Sequence, residues 1–391
     1  MKRILYLFII LFSFCIPISC LAEDFDITGE NVILYNLNDN TILYEKNSDE
    51  KTSIASLTKI MSALVALDNI DDLNETITIT ANDFIGTDGY SKAGFSIGDI
   101  VTYEDLLYGV LLPSGADAIN ALVNNTLGYD DFITAMNEKT KEIGLSNTKF
   151  SNPIGKDDTN NYSTASDIAK MLKYALNNDT FKEVFTAKEY TTSNGIILKS
   201  TLMPYKNILD INKIDGSKSG FTKEAGRCLA SITNLNDVNY LLVVINSSLD
   251  YNYSAVKDTL TIYDYFNDNY SYQVILDDSK IISTLPVKWS KVKSYDIAVN
   301  DEVKMYLENG TSENLEYEFV GIKEINKDVK FGSEIGKVKI YSNGELIYST
   351  SAYLNSNIDY YPSLLSIILI IITFIILLKL ILFKKRKKKR K

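Results

Sequence analysis

The chain has 391 residues, 46% of them hydrophobic and 23% charged, with three cysteines, no histidine and a formal net charge of −10. That composition is globular and long enough for two compact domains plus appendages. The absence of histidine excludes Ser-His-Asp and Cys-His catalysis and any zinc site built on imidazole, so a hydrolase of this sequence needs a lysine or a carboxylate as its base.

At the N-terminus, Lys2 and Arg3 precede an apolar run from Ile4 to Ile18, followed by small residues Ser19, Cys20 and Ala22 and then acidic Glu23 and Asp24. A basic start, a short apolar core and a small-residue ending predict a secretory signal, residues 1–22, cut after Ala22. A lipoprotein anchor on Cys20 is the weaker reading, because Pro17 stands where such sites take an aliphatic residue. Cys15 and Cys20 leave with the signal, so Cys228 remains alone and no intramolecular disulfide is expected. Its apolar surroundings in sequence mark it as a buried filler rather than a nucleophile.

Residues 30–47 read as a hairpin, with Val32–Tyr35 and Thr41–Tyr44 flanking a turn-rich Asn36-Leu37-Asn38-Asp39-Asn40. From Leu57, apolar residues recur at Ile60, Met61, Leu64 and Leu67, the helical period. A second helix runs over 102–112, with Thr102 and Asp105 as a capping pair. Helices follow over 117–123 and 131–143, and Ser163 to Asp167 cap another that reaches Leu176. Strands return over 228–232 and 240–245, then a helix near 254–265. Strands early and late with helices between them predict an α+β fold rather than repeating βαβ units. From Tyr272 the texture becomes short strands and turns, including the hairpin turn Ser342-Asn343-Gly344-Glu345, which predicts a second, small all-β domain.

Leu364 to Phe383 is interrupted only by Ser366, Thr373 and Lys379. Twenty helical residues rise about 30 Å, the thickness of a hydrocarbon core. The eight cations Lys384 to Lys391 that follow read as a stop-transfer, positive-inside signal. The expected organisation is a signal (1–22), a catalytic domain (23–270), a β-rich domain (271–357), a transmembrane helix (363–383) and a basic cytoplasmic tail (384–391). The part held outside the cell carries 29 basic against 50 acidic residues, which argues against nucleic-acid partners.

With histidine absent, one remaining solution is a serine activated by a lysine. Ser-x-x-Lys on a helix puts the two side chains on adjacent turns, and the lysine serves as base once burial lowers its pKa. The pattern occurs five times: Ser48/Lys51, Ser56/Lys59, Ser146/Lys149, Ser254/Lys257 and Ser290/Lys293. Ser48 and Ser146 lie in polar loops. Ser254 opens a fully polar helix start, and Ser290 and Lys293 read as strand residues on opposite faces. Only Ser56-Leu57-Thr58-Lys59 opens a strongly apolar helix. Two further segments add chemistry: Ser114-Gly115-Ala116 at a tight turn into a helix, and Lys218-Ser219-Gly220-Phe221 on what should be an edge strand. Gly220 is expected to let a substrate backbone come close.

Together these segments resemble the penicillin-binding D-Ala-D-Ala carboxypeptidases, relatives of the serine β-lactamases that use Ser-x-x-Lys, Ser-x-Asn and Lys-Thr/Ser-Gly. Segments 55–67 (ASLTKIMSALVAL), 101–118, 136–155, 162–172 and 216–230 look like family segments in family order, and 331–347 looks like the family's C-terminal β domain. The resemblance spans roughly residues 25 to 383. It implies a DD-peptidase-like antiparallel sheet flanked by helices, with no metal and no cofactor. Ser56 would be the acylated nucleophile, Lys59 its general base and Ser114 the proton donor to the leaving amine. Lys218 and Ser219 would bind the substrate's carboxylate, with Lys218 helping to keep Lys59 neutral. Backbone N–H groups of Ser56 and Phe221 would form the oxyanion hole.

The expected partners are the D-Ala-D-Ala end of peptidoglycan stem peptides, β-lactam antibiotics as covalent inhibitors, and the lipid bilayer. The sequence departs from the family pattern at Ala116, which replaces the asparagine of Ser-x-Asn. It also lacks, in the segment 246–254, an arginine that some relatives carry. These departures keep open a catalytically impaired wall-binding paralogue, and the shared chemistry keeps open a membrane-bound β-lactamase or DD-endopeptidase.

Overall fold

The computed structural model describes residues 25–299 and 301–388, so the signal assigned to 1–22 lies outside the described residues, as do the last three residues of the tail. The chain divides between Asp268 and Asn269 into two compact units.

The first unit is built on a five-stranded antiparallel sheet in the order β2-β1-β9-β8-β7. The hairpin β1 (Asn31–Asn36) and β2 (Thr41–Lys46) supplies one side; β7 (Gly216–Thr222), β8 (Gly226–Leu235) and β9 (Val238–Ser247) complete it. β9 is central, and its run Leu241 to Ile245 is fully buried. A strand buried on both faces reads as continuous apolar sequence, as this one does.

Ile33, Leu241, Val243 and Ile245 join the large core made with the helical layer. That layer comprises α1 (Thr58–Asp68), α2 (Tyr103–Leu111), α3 (Ala116–Asn125), α4 (Tyr129–Ile143), α5 (Ala165–Ala175) and α6 (Asp179–Thr186). Small ribbons, β3 (Thr76–Thr78) with β4 (Ile100–Thr102) and β5 (Glu189–Thr191) with β6 (Ile197–Lys199), tie its loops. α7 (Ser254–Asn269) is bonded to the sheet through Tyr263, whose hydroxyl pairs with Ser231 at 2.9 Å. The Asp258 carboxylate accepts from Thr28, Gly29 and Ser247, fastening the first strand's approach to α7.

Two of these helices position the site. α1 is enclosed all round, Thr58 through Ala66 being buried, the property of a helix at the centre of a core rather than on its surface. α2 starts with the expected Thr102–Asp105 capping box, and Asp105 also accepts from Ser193 and Tyr190.

The second unit contains β10 (Tyr270–Leu276) paired with β13 (Val303–Glu308), β11 (Ser283–Pro286) paired with β12 (Ser294–Ile297), and the sheet β14 (Glu316–Gly321), β15 (Glu334–Ser342), β16 (Glu345–Tyr353). It has its own core around Ile325, Val338 and Ile340. Ser290 and Lys293 are not strand residues. They belong to the turn between β11 and β12, where Lys293 Nζ donates to the Ser290 carbonyl at 3.2 Å, so the opposite-face expectation does not apply. The unit ends in α8 (Leu364–Lys388), within which Leu364–Lys385 is long and apolar enough to cross a membrane.

Candidate active site

Ser56 lies in a single 3₁₀ turn, Ala55–Leu57, that leads directly into α1. Ala55 holds φ at +46°, and Ser114, at the turn into α3, holds φ at +65°. Both are left-handed conformations that cost a non-glycine residue on the order of 1–3 kcal/mol and are tolerated where the surroundings fix them. The two strained turns face the same cleft of about 600 Å³, to which Ser56, Ser114, Ser219, Gly220 and Phe221 contribute.

Lys59 Nζ lies 2.9 Å from Ser56 Oγ and 2.7 Å from the carbonyl oxygen of Ile154. The amine is almost completely enclosed. Burial lowers its pKa to about 7, against the opposing pull of the Asp117 carboxylate. Asp117 is itself held by the backbone N–H groups of Ala93 (2.7 Å) and Gly94 (3.2 Å). An amine near its titration point and bonded to a hydroxyl can take that hydroxyl's proton.

Lys218 is fully buried on β7, and its pKa is also driven well below the usual value, by burial first and then by the charge of Lys59. Two buried ammonium groups repel, so the pair does not hold two protons cheaply. Lys218 donates to the Ser219 carbonyl at 2.9 Å and does not line the cleft. Ser219 does, its hydroxyl sharing a 2.6 Å hydrogen bond with Thr201. Ser114 Oγ is buried and has no hydrogen-bond partner.

Gly220 lines the cleft, and its lack of a side chain also makes room for the chain itself. A Cβ there would stand 3.1 Å from Ser56 N and 3.2 Å from the Ile54 carbonyl, so the turn that carries Ser56 packs closely against it. Phe221 follows, half exposed, with the Arg227 guanidinium 4.5 Å above its ring. This neighbourhood brings the N–H groups of Ser56 and Phe221 onto adjacent segments.

The other four Ser-x-x-Lys pairs form no such contact. Ser48 donates to Glu45, Lys149 to Asn160, Ser254 to the Tyr251 carbonyl and Ser290 to the Asp359 carbonyl. Ala116 is enclosed in the core. Asn120 turns its amide to the carbonyls of Asp83 and Ile85, away from the site.

Sequence reasoning missed several contributors. The Ile154 carbonyl has no side-chain signature. Asp117 reads as an ordinary first-turn acid. Arg227 lies opposite Phe221 in the β7–β8 register, a position that strand pairing alone reveals. It is the one cationic residue among those lining the cleft; one nitrogen pairs with Asn252, while its buried Nε has no partner.

Residues 19–248 match the family model described as D-alanyl-D-alanine carboxypeptidase, and residues 270–360 match the C-terminal domain of penicillin-binding protein 5. The chain is 26% identical over 324 residues to D-alanyl-D-alanine carboxypeptidase DacF of Bacillus subtilis (82% of this chain, 83% of that one). It is 30% identical over 243 residues to a D-alanyl-D-alanine endopeptidase of Escherichia coli (60% and 76%). Among solved structures, penicillin-binding protein 5 from Haemophilus influenzae superposes with a TM-score of 0.62 at 23% identity, covering 86% of this chain and 99% of that one, a likeness of fold. With more than half of its length matched, the chain belongs to the D-alanyl-D-alanine carboxypeptidase family of serine hydrolases, peptidase family S11.

Proposed function

We propose that the protein removes the terminal D-alanine from peptidoglycan stem pentapeptides through an acyl-enzyme on Ser56. The observation that carries this reading is the 2.9 Å contact between Ser56 Oγ and an enclosed Lys59 amine that titrates near neutrality.

Neutral Lys59 takes the Ser56 proton as Oγ attacks the carbonyl carbon of the penultimate D-alanine. The N–H groups of Ser56 and Phe221 receive the oxyanion. Ser114, its hydroxyl unpartnered at the cleft wall, relays that proton, giving its own to the departing amine as it takes the one held by Lys59, and the C–N bond breaks to release D-alanine. Water then attacks the ester on Ser56 as neutral Lys59 takes its proton, and Lys59 gives that proton to Oγ as the ester bond breaks. Ser219 and Arg227 supply the hydroxyl and the cation for the substrate's terminal carboxylate, with Lys218 acting beneath them on the charge of Lys59. A β-lactam would follow the same path as far as the ester.

In this reading residues 23–270 form the catalytic domain, 271–357 the β domain and 363–383 the membrane anchor. The catalytic domain lies outside the cell after export by the 1–22 signal, and the 384–391 tail lies in the cytoplasm.

A fluorescent penicillin should label the protein stoichiometrically, and Ser56→Ala should abolish the label. A label that survives in the variant refutes Ser56 as nucleophile. The likeness to an endopeptidase favours a second reading, cleavage of the D-alanyl cross-link itself. Release of free D-alanine from pentapeptide, against opening of cross-linked dimers, separates the two. Binding of pentapeptide without either product would favour the impaired paralogue that Ala116 keeps open, and Ala116→Asn would then raise turnover.

A further inference from the structure

The turn between β11 and β12 carries a cluster that folding alone does not require. Trp289 is 72% exposed, and Val292 and Tyr361 are each 47% exposed. Trp289 holds φ at +55°, a left-handed turn position that suits glycine or asparagine and disfavours a bulky side chain. An aromatic residue kept in an unfavourable backbone state with most of its surface in water adds little to the unit's core. Exposed apolar groups that cluster mark a surface that meets something.

Position identifies what it meets. The Trp289 carbonyl accepts from Tyr361 N at 2.7 Å, Ser290 Oγ donates to the Asp359 carbonyl at 2.8 Å, and Ser290 pairs with Tyr360. The turn is therefore fastened to the segment that runs straight into α8, whose apolar span begins at Leu364. Three residues of chain reach at most about 10 Å. The headgroup layer beyond a 30 Å hydrocarbon core is roughly 5–8 Å thick on each side. Lys288, Lys291 and Lys293 surround the apolar tip and are exposed; Lys288 is paired with Glu324 at 2.6 Å, and Lys293 Nζ lies 5.8 Å from the Tyr361 ring. Tryptophan and tyrosine at headgroup level, with lysines beside them, match an interface that is half apolar and carries anionic phosphate.

We propose that the Lys288–Lys293 turn is a second membrane contact, with Trp289 and Val292 seated among the headgroups of the phospholipid bilayer beside Tyr361. The proposal rests on α8 spanning that bilayer. Its consequence is mechanical: a helix alone leaves the β unit free to swivel on residues 361–364, whereas a second contact fixes which face of the unit lies on the membrane.

Trp289 is the only tryptophan in the chain, so intrinsic fluorescence reports on this turn alone. The full-length protein would be reconstituted into vesicles containing anionic phospholipid, with association checked by flotation. Emission would be compared among vesicles of unbrominated lipid, lipid brominated high on the acyl chain and lipid brominated near its end. The expected result is a blue-shifted emission that is quenched most by the shallow bromines. Flotation with no bromine quenching, whether the emission is blue-shifted or water-like, overturns the second contact and leaves the spanning helix intact. Failure to float with the vesicles overturns both.

Discussion

In the proposed reaction Lys59 is the base, and its environment sets a pH dependence of known sign. The base is competent only when neutral, and burial brings its titration to about 7. In kcat/KM for a pentapeptide, the rate should therefore fall as pH drops through about 7 and level off above it, since free-enzyme groups govern that parameter. A rate flat from pH 5 to 9 would remove Lys59 as the base. Arg227 belongs to the same scale. Removing a charged hydrogen-bonding partner costs about 1.5–3 kcal/mol, so Arg227→Gln should raise KM roughly ten- to a hundredfold for a peptide with a free carboxylate. Hydrolysis of the C-terminally amidated peptide should be unchanged; equal losses on both substrates would make the arginine structural. The Ser56/Lys59 pair was legible in sequence because its spacing and the apolar run behind it lie within one turn of one helix. Arg227 was not, because its nearness to Phe221 comes from pairing between strands.

At the scale of elements, the site is a junction of backbones. Gly155 has φ at +90°, and a Cβ there would come within 2.0 Å of the Ala55 carbonyl oxygen, so the loop carrying the Ile154 carbonyl is pressed directly onto the turn that carries Ser56. Gly155→Ala should cut the rate of acylation at least about tenfold, beyond the roughly 1–3 kcal/mol of stability lost to backbone strain. Gly195→Ala is the control: φ is +88° and nothing lies within 4 Å of its added Cβ. It should lose only the stability that the strained φ costs, read as Tm, and keep its acylation rate. Capping and periodicity announced α1, α2 and α5 in the sequence, since both are local. The turn at Ser290 was misread as strand because an apolar, β-rich stretch looks the same whether it pairs or bends. That Gly220 also makes room for the turn carrying Ser56 is visible only in the packing.

For the whole molecule, two cores in two units predict two steps in unfolding. Differential scanning calorimetry of the full chain should resolve two transitions, and acylation by a β-lactam should raise only the one belonging to the Ser56 unit, because a ligand stabilises the unit that binds it. A single transition, or equal shifts in both, would show the units to be energetically coupled.

What the sequence determined by itself was everything carried by short range: the absence of imidazole chemistry, the apolar run that α8 adopts, the helix caps, and the serine–lysine pair one turn apart. The tertiary structure alone decided how deeply that lysine is enclosed and which carbonyl orients it. It also decided which glycine makes room for which backbone and which arginine reaches the cleft. Burial and strand pairing join residues that lie far apart along the chain, and no local pattern encodes such a distance.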